Sequence, residues 1–142
     1  MTQELIAQAT INVAAPRSAV WTALVSPAAI RQYMFGAEVV SDWKKGRPIT
    51  WEGEWEGKHY KDKGTILEIQ REEVLKYSHW SPLAGLPDRP ENYHTVAIEL
   101  EDDGDDTRVT LTQDNNPTEE ARVHSEKNWG MMLGALKEYL EG

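Results

Sequence analysis

NPTEEARVHSEKNWGMMLGALKEYLEG, residues Asn116 to Gly142, is one long helical pattern whose inward stripe changes character halfway. At about 100° per residue, Trp129, Met132, Leu133, Leu136, Tyr139 and Leu140 share one arc. Lys137, Glu138 and Glu141 lie opposite. The same arc extended backward takes in Ala121, Arg122 and Ser125, so the stripe is apolar at its C-terminal end and small or polar at its N-terminal end. A helix that fills a core is apolar along its whole buried stripe, whereas one that walls a partly wet pocket need not be. The start is marked by Asn116 as a cap, Pro117 at the first helical position and Glu119 three residues after the cap.

Working outward, the rest of the chain reads as strands behind two short helices. Ile6 to Ala14 alternates as a strand. Pro16 to Val25 is a helix with Val20, Trp21 and Leu24 on one side, and Ser26-Pro27 opens a second, Pro27 to Tyr33. From Ala37 to Asn115 the signal is strands. Ile49, Trp51, Gly53 and Trp55 share one strand face, and Glu56-Gly57-Lys58 reads as a hairpin turn. Lys58 to Gln70 and Val74 to Trp80 are further strands, with Gly64 read as a bulge. Ser81 to Asn92, with Pro82, Pro87 and Pro90, is a long loop. Tyr93 to Glu101 and Thr107 to Asp114 form a hairpin with His94, Val96, Ile98, Leu100, Val109, Leu111 and Gln113 facing inward. Strands grouped between helices predict an antiparallel α+β layer fold, a single domain over residues 1–142.

Composition narrows the partners. The 142 residues carry a net charge of −9, which disfavours nucleic acid and anionic membrane surfaces. No apolar run reaches the roughly 20 residues of a membrane span, and Met1-Thr2-Gln3-Glu4 does not open a signal peptide. The absence of cysteine removes disulfides and thiolate chemistry, and fits a cytoplasmic protein. Six tryptophans in so short a chain suggest a pocket or an interface, since each indole N–H wants a partner.

Two segments and the order of elements carry a resemblance. INVAAPRSAVWTALVSP (Ile11 to Pro27) resembles the opening strand and helix of the START-like superfamily, also called SRPBCC or Bet v 1-like. SEKNWGMMLGALKEYLEG (Ser125 to Gly142) is similar to its closing helix. GTILEIQREEVLKYSHWSP (Gly64 to Pro82) resembles the central strands of the branch related to the C-terminal domain of the activator of heat-shock-protein-90 ATPase. Gln32-Tyr33-Met34-Phe35 departs from the Trp often found at that point of the branch. The resemblance implies a helix-grip fold: a curved antiparallel sheet of about six or seven strands around the long C-terminal helix, two short helices after the first strand, and a cavity between. It also implies binding of a small hydrophobic or amphipathic molecule. Some members are cyclases, and the eukaryotic activators bind the chaperone.

Thirteen residues are candidates for such a site. Trp51, Trp55, Tyr60, Tyr77, Trp80, Tyr93 and Trp129 either line a cavity of roughly 300–1,000 Å³ or fill the core. Met132 and Leu133 lie deeper on the closing helix. Arg122 and Ser125 are placed near the mouth, where a guanidinium suits a carboxylate or phosphate; the competing reading of Arg122 is a rim salt bridge with a nearby acid. His79 and His94 share strand parity with apolar neighbours and can serve as acid–base groups or as hydrogen-bonded core residues. The loop Ser81 to Asn92 and the segment Tyr33 to Gly36 are candidate gates.

Other motifs are discounted. His59, His79, His94 and His124 have no metal-ligand spacing, and the acidic run Glu101 to Asp106 lacks the order of a calcium loop. No metal, cofactor or catalytic nucleophile is expected. Gly130 and Gly134 leave room for a close neighbour, a loop or a second copy of the chain in a homodimer. Three functions therefore stand: ligand binding, a cofactor-independent cyclase, dehydratase or hydrolase on the same scaffold, and a chaperone-interacting module.

Overall fold

The computed structural model describes residues 5–142, apart from the side chains of Trp55 and Ala84. Met1 to Glu4, read above for a leader, lies outside the described residues. Seven strands and three helices follow in the order β1 (Ala7–Val13), α1 (Arg17–Leu24), α2 (Pro27–Tyr33), β2 (Glu38–Ser41), β3 (Pro48–Trp55), β4 (Lys58–Gln70), β5 (Val74–His79), β6 (His94–Asp103), β7 (Asp106–Gln113) and α3 (Glu119–Glu141). The strands form one antiparallel sheet ordered β1-β7-β6-β5-β4-β3-β2. This is the expected α+β helix-grip architecture. No helix among the described residues is long and apolar enough to cross a membrane.

Local chemistry explains the turns. Ser26 caps α2 by accepting from the Ala29 N–H, with Pro27 pre-set for the first turn. Glu56 and Gly57 both take positive φ, which is the hairpin geometry that matches strand twist. Gly64 is not the bulge. The register shift falls between Ile66 and Glu68, while a Cβ on Gly64 would sit 1.7 Å from the Ser78 carbonyl oxygen. Glycine is needed there because β5 passes too close for any side chain.

The core lies between the sheet and the helices. Val96, Ile98, Leu100, Val109 and Leu111 are buried from the sheet side, and Met132, Leu133 and Leu136 from α3. The opposite flank of α3 closes the open edge of the sheet. Glu126 accepts from the Gln8 N–H at 3.1 Å, Glu141 accepts from the Ala14 N–H at 2.9 Å, and Lys137 donates to the Asn12 carbonyl at 2.9 Å. Unpaired edge groups are a template for association, and these three side chains occupy them.

Three expectations for α3 need correction. Its cap is Thr118, whose side chain accepts from the Ala121 N–H, two residues after Asn116. Tyr139 is 46% exposed: it lies at the edge of the buried stripe, with its ring 6.3 Å from that of Tyr33. Gly130 and Gly134 face open space, with nothing described within 4 Å of where a Cβ would be, so no loop among the described residues packs on them.

Candidate functional site

A cavity of about 300 Å³ opens between the sheet, α3 and the turn after α2. Its walls come from alternate positions of three neighbouring strands. Trp51 projects from β3, Tyr60 and Asp62 from β4, Tyr77 and His79 from β5. Register brings them together: Trp51 pairs with Asp62 and Ile66 with Tyr77. Ser125, Asn128, Trp129, Met131 and Met132 complete the helix side, and Gln113 closes the β7 end. The mouth is apolar. Phe35, Leu83 and Met131, all on the lining, are each about half exposed.

The polar feature of the wall is a pair. His79 Nε2 lies 2.8 Å from Asp62 Oδ2, and their side chains are 24% and 14% exposed. Asp62 Oδ1 is sealed from solvent and has no hydrogen-bond partner among the described residues. Trp51 meets both Tyr77 and His79 edge-on, with centroids 5.0 Å and 5.2 Å away, which fixes the rings. Burial raises the Tyr77 hydroxyl pKa well above its ordinary value. Burial, and then the Asp62 charge, raises that of Tyr60. Both hydroxyls therefore stay protonated at neutral pH.

The polar half of the α3 stripe has a different role from the wet mouth inferred above. Asn116 donates to the Leu5 and Gln113 carbonyls at 3.0 Å and 3.1 Å. Its Oδ1 accepts from Ser125 at 3.0 Å and from Gln113 at 3.4 Å. Trp129 Nε1 donates to Gln113 Oε1. The network joins α3 to the ends of β1 and β7 and satisfies groups that are buried beside the cavity.

Of the thirteen candidates, seven meet at the cavity: Trp51, Tyr60, Tyr77, His79, Ser125, Trp129 and Met132. The Trp55 side chain lies outside the described residues. Leu133 is 1% exposed and belongs to the core. Arg122 is held on the helix surface by Glu119 and Glu126, one turn before and after it. Local pairing at these spacings won over the arc that pointed it inward. Trp80 follows His79 and so takes the opposite strand face, where its Nε1 donates to the Leu86 carbonyl at 3.2 Å. Tyr93 joins it there at 6.4 Å and donates to Asp88 at 2.6 Å. These contacts hold the later part of the loop, at Leu86 and Asp88, on the outside of the sheet, while Leu83 reaches the cavity mouth. His94 Nδ1 donates to the Asp114 carbonyl at 2.9 Å, the hydrogen-bonded core reading.

Asp62 is the charged lining residue the sequence reading missed, along with Ala37, Asn128 and Met131. It shares strand parity with Tyr60, Gly64 and Ile66, a signal that its charge obscured. Gln113 was read as inward but not as part of the site.

Comparison with known proteins follows from this geometry. A family model described as activator of Hsp90 ATPase homolog 1-like protein matches residues 14–141. The solution structure of a protein from Cytophaga hutchinsonii is 55% identical, with a TM-score of 0.86 over 99% of this chain and 97% of that one. The solution structure of the Aha1 dimer from Colwellia psychrerythraea is 17% identical, with a TM-score of 0.74 over 96% of each chain. The crystal structure of a protein from the dynemicin biosynthetic locus is 16% identical, with a TM-score of 0.81 over 98% of this chain and 48% of that one. At these last two identities the likeness is one of fold. A comparison with functionally curated proteins finds no match. The match to nearly the whole chain, on a helix-grip fold, shows that it belongs to the family of activator of Hsp90 ATPase homolog 1-like proteins, within the START-like superfamily.

Proposed function

We propose that the protein binds a small amphipathic molecule in the cavity between its sheet and α3. The observation that carries this reading is the two-part lining. Trp51, Tyr60, Tyr77, Trp129 and Met132 offer an aromatic and thioether wall, and the Asp62–His79 pair gives it an ionisable polar position beside the neutral Gln113, Ser125 and Asn128. The volume of about 300 Å³ is at the lower end of small-molecule sites, and an apolar wall with few polar groups is their usual composition. Native mass spectrometry of freshly purified protein, with solvent extraction of any bound molecule, tests the proposal alongside titration with the fluorescent probe N-phenyl-1-naphthylamine. Saturable 1:1 binding of the probe, displaced by the extracted molecule, is the expected result. No co-purifying molecule and no saturable probe binding would remove it.

The His79–Asp62 contact favours a second reading, proton-transfer catalysis on the bound molecule. A carboxylate that accepts from Nε2–H leaves Nδ1 with its lone pair, the arrangement of an oriented general base. Nδ1 would take a proton from one atom of the ligand and return it to another, so no co-reactant is consumed. Mass and NMR analysis of the molecules extracted from wild type and from His79→Ala tests this. The same molecule from both proteins would exclude it.

A further inference from the structure

Every sulfur-bearing residue among the described residues lines the cavity. The sequence has no cysteine and four methionines. Met1 lies outside the described residues, and the other three, Met34, Met131 and Met132, all belong to the lining. They sit at graded depth. Met131 is 50% exposed and Met132 is 4% exposed, because consecutive positions on α3 point about 100° apart. Met34, at the C-terminal cap of α2, is partly buried against the core. A thioether is open to two-electron oxidants wherever solvent reaches it, and the chain has no thiol to react first.

Met131 shares the mouth with Phe35 and Leu83, whose side chains are hydrocarbon, and it holds the most reachable sulfur of the lining. We propose that Met131 is a modification site: a hydroperoxide converts its thioether to the sulfoxide, and the sulfoxide lowers the affinity of the cavity for apolar molecules. The sulfur lone pair attacks the terminal peroxide oxygen, and the S–O bond forms as the O–O bond breaks. The departing hydroxide or alkoxide takes a proton and leaves as water or alcohol. Sulfur is oxidised by two electrons and the peroxide is reduced by two. The product replaces a flexible apolar group with a polar acceptor. A molecule that covers this oxygen must displace its water, and Phe35 and Leu83 offer no donor in exchange. The Asn128 amide, one turn earlier on α3 and exposed, can donate to one lone pair, and the rest stay solvated only while the mouth is open. The inference rests on the ligand-binding reading above and names a chemical control of that site.

Treatment of the full chain with hydrogen peroxide at pH 7, followed by removal of the oxidant with catalase, tests it. Peptide mass mapping scores each methionine separately, and titration with N-phenyl-1-naphthylamine reads the cavity. The expected order of oxidation is Met131, then Met34, then Met132. Oxidation of Met131 weakens probe binding about fivefold or more, the cost of desolvating a polar group at a half-exposed position. Reduction with methionine sulfoxide reductase and dithiothreitol restores it. In Met131→Leu, each sample compared with itself before and after peroxide, the ratio of dissociation constants falls to near one. Oxidation of Met132 as fast as Met131, or a Met131 that resists peroxide, overturns the site. Full oxidation of Met131 with unchanged probe affinity overturns the control and leaves the cavity reading standing. A loss of the same size in Met131→Leu places the response elsewhere and overturns the proposal. Failure of the untreated protein to bind the probe counts against the cavity reading, and the control falls with it.

Discussion

His79 Nε2 and Asp62 Oδ2 lie 2.8 Å apart on neighbouring strands, and the two partners are not equally dispensable. Removing the imidazole in His79→Ala leaves a largely buried carboxylate with neither oxygen paired. Removing the carboxylate in Asp62→Leu leaves one N–H on a ring that is 24% exposed. The first is expected to cost about 2–3 kcal/mol and the second about 1 kcal/mol, because an orphaned buried charge is worse than a partly hydrated donor. The double variant should cost less than the sum. Urea denaturation of the four proteins measures this, and equal losses in the two single variants would contradict it.

Gly64 is where the sheet leaves no room for a Cβ. The 1.7 Å approach to the Ser78 carbonyl involves backbone, which cannot swing aside as a side chain can. Gly64→Ala should therefore destabilise the fold by about 3 kcal/mol, at the upper end of ordinary overpacking. Because β5 carries Tyr77 and His79, it should also weaken probe binding. Alanine at exposed Gly130, which faces open space, should instead stabilise by up to about 1 kcal/mol through helix propensity. Thermal and urea unfolding of the two variants should move in opposite directions.

Thr118, the observed cap of α3, and Asn116, read above as the cap, have distinct roles. Thr118→Ala removes a single cap bond and should cost about 1 kcal/mol. Asn116→Ala removes two donations and two acceptances in a buried network and should cost about 2–3 kcal/mol. Chemical denaturation decides the order, and a larger loss for Thr118 would show that Asn116 is peripheral.

What the sequence made legible, and what it did not, follows from the range of the forces. Hydrophobic alternation and local punctuation are short-range signals. They placed Ile49 and Trp51 on one face, Val96, Ile98 and Leu100 inward, and Ser26-Pro27 at a helix start, all as observed. The family resemblance supplied the topology. Of the two readings of Arg122, mouth residue or salt bridge with a nearby acid, the second is the one observed, because acids at i−3 and i+4 capture the side chain. Asp62 was missed because a charge on a strand reads as solvent-facing, and only its pairing with a histidine 17 residues later makes an inward carboxylate tolerable. Trp80 and Tyr93 were drawn to the site by aromatic character, although strand parity relative to His79 already put Trp80 on the other face.

Acid should weaken the seal between α3 and β1. The Ala14 N–H, and then the Lys137 ammonium, hold the Glu141 carboxyl below the usual carboxylate range. A folded-state pKa that is depressed contributes stability at pH above the unfolded value of about 4.3, and this is lost as pH falls through the folded value. Glu119, beside Arg122, and Asp88, beside Lys63, are shifted the same way. The melting temperature should therefore fall from about pH 5 to pH 3, and Glu141→Gln should fall less steeply over that window. Added salt should reduce the difference, since all these groups are exposed. A slope unchanged by Glu141→Gln would place the acid sensitivity elsewhere.

Tyr77 separates the stability of the fold from the use of the cavity. Its ring is 5% exposed and packed edge-on against Trp51, yet its hydroxyl makes no hydrogen bond among the described residues. Deleting that oxygen in Tyr77→Phe removes a desolvated polar group without disturbing the ring. The variant should be as stable as wild type or more so, by up to about 1 kcal/mol. Tyr33→Phe is the control, because its hydroxyl donates to the Ala23 carbonyl at 2.9 Å, and its loss should cost about 1 kcal/mol. Stabilisation at residue 77 with destabilisation at residue 33, read by thermal unfolding, would mark Tyr77 as a polar group retained at a cost to the fold, as expected where function sets the residue. Equal destabilisation by both substitutions would mean that the Tyr77 hydroxyl is already satisfied within the fold.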